Sequence, residues 1–374
     1  MRRIMPVTLL LMAACGCTRH PQADQEDGEV LKVSYAKKAP SYKKFFSGIE
    51  PIALETSDSS LMSEISKAIC VGDTMILYEY KRYLVFMFND KGEFISRIGK
   101  RGEGPEEYNM VYDISLNPEK GFLTMLSPFG ETIEYTLDNR FMGRNRLTLD
   151  KPNYFGCEWI DGERLALWSQ VEEDEPGISV IDTGAGKSVF DAWFHERITD
   201  GLQSSPFNIY EDRLYFTPPI DMTVYKMEGD SLKAAYTWDF GGDNIDGHTY
   251  VKSIEGMESP EITQKITRDL EDGSLPYVFS QNWQTPRYYM ACMWSDKDGE
   301  RAYHTAIYDK VDRQGERFRN FSEGLSFRPV FVCNDYALCE IPSDEIATLS
   351  RITGREIPHN DDDNIVLARF RFKH

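Results

Sequence analysis

The chain has 374 residues, 41% of them hydrophobic and 13% aromatic, which is enough for the packed core of one large domain or two ordinary ones. Its 61 acidic and 42 basic residues give a formal net charge of −19 at pH 7. So acidic a surface repels phosphodiester backbones and argues against nucleic-acid binding. The sequence has no run of about 18 consecutive apolar residues, so it predicts no membrane-spanning helix.

The N-terminus has the layout of a secretory signal. Arg2 and Arg3 precede an apolar run over residues 7–14, and small residues then stand beside Cys15 and Cys17. This pattern resembles the bacterial lipobox, in which the cysteine is acylated and becomes the first mature residue. Cys15 is the favoured site because it follows the apolar run directly, Cys17 fits nearly as well, and an ordinary cleaved signal is the alternative. We therefore expect residues 1–17 to be a lipoprotein signal peptide and the membrane to be reached through the lipid only.

Residues 18–47 are predicted to form a flexible polar tether. The stretch "TRHPQADQEDGE" is acidic and has no large apolar side chain to bury. The cysteines beyond it are odd in number and irregularly spaced, so they predict no disulfide framework. Most of them are expected to be small buried side chains, and a Cys333–Cys339 bridge stays open as an alternative.

From residue 48 onwards, a polar turn followed by an apolar strand recurs about every 45 residues, as in "NDKGEFISRIG" from Asn89 and "LDNRFMGRNRLTL" from Leu137. Four short β-rich runs fit one such unit: "ISKAICV", "TMILYEY", "RYLVFMFN" and "EFISRIG". The predicted fold is therefore all-β: a single β-propeller of about six four-stranded antiparallel blades over residues 48–374. The ring is expected to close by pairing of its N-terminal strand, "GIEPIALET", with a C-terminal strand, "NIVLARFRFK".

One interval is longer than the others and contains an insertion at residues 241–276. The run after Pro260, "EITQKITRDLED", places Ile262, Ile266 and Leu270 at helical spacing. We predict a helix of about three turns, either as a surface feature or as a lid over the mouth of the central channel.

The stretch "GEFISRIGKRGEGPEEY" carries a resemblance to a known family. It closely resembles a motif of the six-bladed β-propeller lipoproteins of Bacteroides-type bacteria, which are NHL/TolB-like propellers with a Gly-x-Arg-Gly-x-Gly-Pro-x-Glu-[Tyr/Phe] loop. The ending "DDDNIVLARFRFK" is similar to the ending of that family, although Ile365 stands where proline is usual. The resemblance implies a protein of the bacterial cell envelope, lipid-anchored to the outer membrane on its periplasmic or surface side, and it implies no activity.

The inter-blade loop of that motif contains a group of candidate site residues: Gly99, Arg101, Gly102, Gly104, Pro105, Glu107 and Tyr108. The glycines permit backbone angles closed to other residues, positive φ at Gly104 among them, and Pro105 fixes a turn. Lys100 and Arg101 are within reach of Glu106 and Glu107, which predicts a loop braced by its own ion pairs. The alternative is that Arg101 contacts a ligand.

The densest aromatic stretch, "NWQTPRYYMACMW", offers three further candidates: Trp283, Tyr288 and Tyr289. These rings could stack on sugars at the channel face, but packing between blades uses the same residue types and is favoured.

The sequence contains no HExxH, GxSxG or Walker motif and no Cys/His metal cluster, so the catalytic residues are unknown and no metal or cofactor is expected. We expect a monomeric binding or scaffold module for an envelope glycan, peptide or protein. The alternative is an enzyme centred on the channel: a hydrolase, lactonase or lyase.

Overall fold

The computed structural model describes residues 28–128, 130–147, 154–169, 176–192, 205–229, 231–360 and 362–373. The predicted signal peptide, Cys15 and Cys17 lie outside the described residues. Within the described ranges the chain is mostly β-strand, with three α-helices. None of these helices is both long enough and apolar enough to cross a membrane.

Four of the sheets contain four antiparallel strands each. The first sheet consists of β3 (Lys67–Val71), β4 (Thr74–Glu79), β5 (Leu84–Asn89) and β6 (Phe94–Arg97). The second consists of β7 (Asp113–Leu116), β8 (Phe122–Ser127), β9 (Glu131–Thr136) and β10 (Phe141–Arg146). The third consists of β11 (Tyr154–Trp159), β12 (Arg164–Ser169), β13 (Ile178–Asp182) and β14 (Lys187–Ala192). The terminal sheet has the order β2 (Phe46–Ala53), β25 (Val366–Phe372), β24 (Tyr336–Ile341) and β23 (Pro329–Val332).

The remaining sheet has nine strands and joins two antiparallel quartets through the first strand of the chain. The fourth quartet consists of β15 (Phe207–Tyr210), β16 (Arg213–Phe216), β17 (Thr223–Glu228) and β18 (Ser231–Asp239). The fifth consists of β19 (Val278–Gln284), β20 (Tyr288–Ser295), β21 (Ala302–Asp309) and β22 (Gln314–Phe318). Between them lies β1 (Glu29–Tyr35), which pairs in parallel with both β18 and β22.

The position of β1 corrects the predicted tether. Residues 29–35 form a strand, a 3-10 turn follows at Tyr42–Lys44, and β2 begins at Phe46, so the prediction is wrong for residues 29–47. The physical reason is the alternating pair Leu31 and Val33, which are 0% and 5% exposed and fill the space between the edges of two quartets.

The hydrophobic core lies between sheets. β8 is buried at all six positions because neighbouring sheets cover both of its faces. This explains why the middle strands read as continuous apolar runs, such as "TMILYE" and "LVFMFN", and not as alternating ones. Each of the six core clusters is shared by two consecutive units, and one of them joins the terminal sheet to the first sheet.

The insertion between β18 and β19 contains α1 (Gly247–Ile254) and α2 (Ser259–Asp272). Helix α2 confirms the predicted helix. Ile262, Ile266 and Leu270 are buried in the core shared by the fourth and fifth quartets, so α2 is packed onto these quartets. A shorter helix, α3 (Ile346–Thr353), connects β24 to β25.

The five cysteines of the described ranges are all free, so the predicted alternative of a Cys333–Cys339 bridge is wrong. Cys339 is buried in the core on β24, whereas the Cys333 thiol donates to the Tyr336 carbonyl oxygen at 3.5 Å.

Strand direction defines two faces of the molecule. Successive antiparallel strands alternate in direction, so the connections between units and the turns between the second and third strands of each unit lie at the same end of the sheets. We call this end the connector face. It carries the Gly99–Tyr108 loop, the insertion with α1 and α2, and α3.

Candidate functional site

The Gly99–Tyr108 loop on the connector face is braced from within, as predicted, but by one ion pair only. Lys100 Nζ lies 2.6 Å from Glu107 Oε1, and Gly104 N donates to Glu107 Oε2 at 3.0 Å. The hydrogen bond from Lys100 is the largest of the causes that lower the pKa of Glu107. Backbone bonds from Gly102 N to Tyr108 O and from Tyr108 N to Lys100 O close the loop at 2.8 and 3.0 Å.

The glycines of this loop have different roles from those predicted. Gly99 has a φ of +69°, and a Cβ there would lie 2.8 Å from the Tyr108 ring. Gly104 is not among the residues with positive φ, so that part of the prediction is wrong. Gly102 and Gly104 instead make room for the Glu107 side chain, which folds back over them, and Pro105 lies in the turn closed by Glu107 N and Gly104 O.

Arg101 does not take part in the predicted brace. Its guanidinium lies 5.5 Å from the centroid of the Tyr83 ring, and Nη1 donates to the Arg82 carbonyl oxygen at 3.4 Å. The side chain therefore extends away from Glu106 and Glu107, over the connector face of the first sheet, and is exposed.

The aromatic candidates of the fifth quartet lie in the protein interior. Trp283 and Tyr288 belong to the core shared with the terminal sheet and line neither of the two cavities described below. Tyr289 is partly buried, with its ring centroid 4.3 Å from that of Tyr236 and 4.0 Å from the Lys310 ammonium. These side chains pack between units, as the favoured interpretation of the sequence states.

A row of other aromatic side chains crosses the connector face of the first three sheets: Tyr83, Tyr80, Tyr112 and Phe155. Successive ring centroids are 5.6, 5.8 and 5.6 Å apart. Tyr80 is 43% exposed, and the other three are partly exposed. We call this set the aromatic row.

A polar cavity of about 690 Å³ adjoins the row, between the terminal and first sheets. Arg82, next to Tyr83 in the chain, lines it and forms an ion pair with the fully buried Glu79 at 2.6 Å. Its other polar lining residues include Ser63, Lys81, Glu340, Ser343, His359, Asp362, Asp363 and Asn364. The cavity and the row together form one continuous surface with an apolar part and a polar part.

Beneath the row lies an ion cluster on the first strands of the first three sheets. Lys67 Nζ on β3 lies 2.9 Å from Glu158 Oε2 on β11 and 3.2 Å from the Asp113 carboxylate on β7. Cys157 N donates to Asp113 Oδ2 at 2.8 Å, and Ser115 Oγ donates to Glu158 Oε1 at 3.0 Å. The cluster links three inner strands that contact one another at the centre of the molecule.

The environment of the cluster shifts the pKa of Asp113 and of Lys67. Burial raises the pKa of Asp113 to about 6, although Lys67 favours its ionised form. Burial also opposes the charge on Lys67, but the carboxylates of Asp113 and Glu158 outweigh it and raise the pKa of the ammonium. The cluster therefore holds a permanent cation between two carboxyl groups, of which Asp113 is the more deeply buried.

Sequence reasoning missed both the aromatic row and the ion cluster. Tyr80 and Tyr83 stand in a turn, Tyr112 immediately precedes Asp113, and Phe155 stands two residues before Cys157. A usable signal was present for two of the rings, because aromatic residues near the start of two consecutive units lie at the same end of neighbouring sheets. That signal requires the unit boundaries to be known.

Consecutive four-stranded antiparallel sheets, packed face to face with their first strands in contact at the centre, define a β-propeller.

The chain belongs to the family of the domain of unknown function DUF4934, whose model matches residues 29–370. Among solved structures it is similar to a Bacteroides fragilis protein described as exported, with 16% identity and a TM-score of 0.72, over 92% of this chain and 100% of that chain. It is also similar to a DUF4221 family member from Bacteroides vulgatus, with 10% identity and a TM-score of 0.56, over 88% of this chain and 97% of that chain. At these identities the likeness concerns the fold alone, and no curated protein matches the sequence.

Proposed function

We propose that the protein is a six-bladed propeller of the bacterial cell envelope that binds a glycan, peptide or protein on its connector face. The aromatic row carries this proposal. Partly exposed tyrosines combine a large apolar surface with a polar edge, which is why such side chains are enriched where proteins bind partners. A row of them beside a polar cavity is a surface suited to an extended ligand.

Among the three partner classes the row favours a glycan. A sugar ring has an apolar C–H face, which packs on an aromatic ring, and a rim of hydroxyl groups. In this protein the cavity next to the row supplies charged and polar partners for those hydroxyls, among them Arg82, His359 and Asp363.

Six blades and a closed ring are part of the proposal. Support comes from the six core clusters, each shared by two consecutive units, and from the antiparallel pairing of β2 with β25 in the terminal sheet. Such pairing removes the open edges that an unclosed ring would leave.

Binding to an oligosaccharide array, followed by calorimetry on the best ligand, tests the site. We expect Tyr112→Ala and Tyr80→Ala to weaken that ligand at least tenfold. Tyr303→Ala is the matched control, because Tyr303 is 39% exposed but lies on β21, outside the row, and it should leave the affinity unchanged. If all variants bind the ligand with equal affinity, the binding site lies elsewhere on the protein. If no oligosaccharide on the array binds the wild-type protein, the glycan assignment is wrong.

Location in the envelope rests on the signal-peptide layout and on the fold shared with a Bacteroides fragilis protein described as exported. Lipid on Cys15 or Cys17 would tether the propeller to the outer membrane. Labelling with a palmitate analogue should tag the wild-type protein, and replacing both cysteines by serine should abolish the label and release the protein from membranes. Persistent labelling of the double variant would mean that the anchor lies elsewhere.

The alternative of a channel-centred enzyme has one observation in its favour, the pairing of Asp113 and Glu158 around Lys67. In hydrolases and lyases, two carboxyl groups in different environments commonly act as the general acid and the general base. The binding function is preferred because these three side chains hydrogen-bond one another and the adjacent backbone, which is the arrangement of a structural cluster.

A further inference from the structure

A second cavity, of about 450 Å³, lies between the second and third sheets. The second sheet contributes residues of β8, β9 and β10 to its lining, and the third contributes residues of β11, β12 and β13. Its volume falls within the usual range for sites that bind small organic molecules. None of the described residues in its lining belongs to the aromatic row or to the cavity beside it.

The charge of this cleft is opposite to that of the whole chain. Among the described residues that line it, three are cations, Lys120, Arg144 and Arg146, and one is a carboxyl group, Glu134. Arg144 is held by Glu131 at 2.8 Å. Within the described part of the chain, neither Lys120 nor Arg146 forms an ion pair, and the longer-range attraction between Lys120 and Glu134 favours the ionised form of Glu134. On a protein with a net charge of −19, such a local excess of positive charge attracts anions selectively.

The wall opposite the cations is apolar and rigid. It includes Phe122, Trp159, Leu165 and Ile181, all of which are buried. The Trp159 ring lies edge-to-face against Phe122 with centroids 5.6 Å apart, and its Nε1 donates to Thr124 Oγ1 at 2.9 Å. Because these contacts fix the rings, the apolar wall exists before any ligand arrives, which reduces the entropic cost of binding.

We propose that this cleft is a second binding site, for an amphipathic organic anion. The ligand class is a molecule that joins a carboxylate, sulfonate or phosphate group to an aromatic or acyl body. The anionic group lies against Lys120 and Arg146, and the body packs on Phe122 and Trp159. This site is independent of the glycan site on the connector face and stands whether or not that site exists.

The probe for this site is 8-anilinonaphthalene-1-sulfonate, an aromatic sulfonate whose fluorescence rises in apolar surroundings. We expect saturable binding of one equivalent to the folded wild-type chain. Arg146→Glu and Lys120→Glu should each weaken this binding at least tenfold. Arg140→Glu is the matched control. Arg140 is an exposed arginine in the turn between β9 and β10 that pairs with Asp138 outside the cleft, and its replacement should leave the affinity unchanged.

A neutral probe isolates the role of charge. N-phenyl-1-naphthylamine has the same aromatic body without the sulfonate, and it should bind the wild type at least tenfold more weakly and be insensitive to Arg146→Glu. Thermal unfolding of each variant verifies that the fold is retained. Absence of saturable binding, equal affinity in all variants, or equal affinity for the two probes would each overturn the proposal.

Discussion

Asp113 is the residue at which burial and ion pairing oppose each other most directly. Its side chain is 1% exposed, accepts two backbone hydrogen bonds, from Ile114 N and Cys157 N, and faces the Lys67 ammonium. Burial nevertheless prevails and raises the pKa of the carboxyl group to about 6. The free-energy cost of removing this carboxylate from water exceeds the stabilisation that it gains from Lys67, a cation that it shares with Glu158.

The elevated pKa predicts a pH-dependent stability. The unfolded carboxyl group titrates near pH 4, so between pH 4 and pH 6 the folded state binds the proton more tightly. The stabilisation from this group is therefore complete below pH 4 and is lost as the pH rises through 6. Asp113→Asn cannot titrate, so the unfolding free energy of the wild type relative to this variant should fall by roughly 3 kcal/mol over that interval.

Urea denaturation at a series of pH values from 4 to 7 measures this difference. Asp73→Asn, at an exposed turn, controls for the removal of one surface charge. A difference between wild type and Asp113→Asn that does not vary with pH would contradict the account of the cluster.

Gly99 and Gly104 provide a matched pair for testing the loop. Alanine at Gly99 must adopt a positive φ and displace the Tyr108 and Tyr135 rings, which is expected to cost about 1–3 kcal/mol. Alanine at Gly104 meets only the flexible Glu107 side chain, at 3.1 Å, and should cost less than about 1 kcal/mol. Thermal or chemical unfolding of the two variants measures the order, and a Gly104→Ala variant as unstable as Gly99→Ala would contradict it.

At the scale of elements, β1 is a short strand that is stabilised by pairing with the strands on either side of it and not by its own side chains. Its register changes partner along its length: Glu29–Lys32 pair with β18 and Val33–Tyr35 with β22. Only two of its side chains are buried, and a strand of seven residues has little stability of its own. The two quartet edges on either side supply the missing hydrogen bonds.

Gly315 on β22 makes room for β1 where the two strands pair. A Cβ at this position would lie 2.5 Å from Val33 Cγ2 and 2.9 Å from the Tyr308 ring. The glycine therefore permits the close approach of β1 to the edge of the fifth quartet.

Helix α2 illustrates the opposite case, in which local sequence suffices. Glu258 and Glu261 form a reciprocal capping box at its start, a proline stands in its first turn, and Gly273 ends it in the left-handed conformation. All these signals lie within the helix or beside it, which is why its extent was predictable from the sequence.

At the scale of the whole molecule, the proposed closure of the ring depends on β2. This strand buries Phe46 and Ile52 and pairs along its full length with β25. Its loss exposes the edge of β25 and removes side chains worth about 1.5–3 kcal/mol each from two core clusters. With the lost backbone bonds, this approaches the whole stability of an ordinary domain.

Two N-terminal truncations test closure. A chain that begins at residue 36 lacks β1 only, and one that begins at residue 54 lacks both β1 and β2. We expect the first to unfold cooperatively at a reduced temperature and the second to aggregate or to lose cooperative unfolding, as measured by calorimetry. Equal unfolding temperatures for the two chains would contradict closure through the terminal sheet.

The sequence by itself determined the features whose causes lie within a few residues of one another. The strand-and-turn repeat, helix α2 and the internal brace of the Gly99–Tyr108 loop all depend on neighbours in the chain. In the brace, Lys100 and Glu107 are seven residues apart, and the glycines between them allow the chain to turn back.

Tertiary structure alone decided the features whose partners are distant in the chain. Lys67 meets Glu158 across 91 residues, Tyr112 lies against Phe155, and β1 is held between quartets that end at Asp239 and Phe318. No local pattern marks these residues as partners, because the distances between them depend on how many units separate them and on the angle at which each sheet packs on the next. The packing of consecutive sheets brings the first strands together at the centre, and only then do a lysine and two carboxyl groups form one ion cluster and the aromatic rings one row.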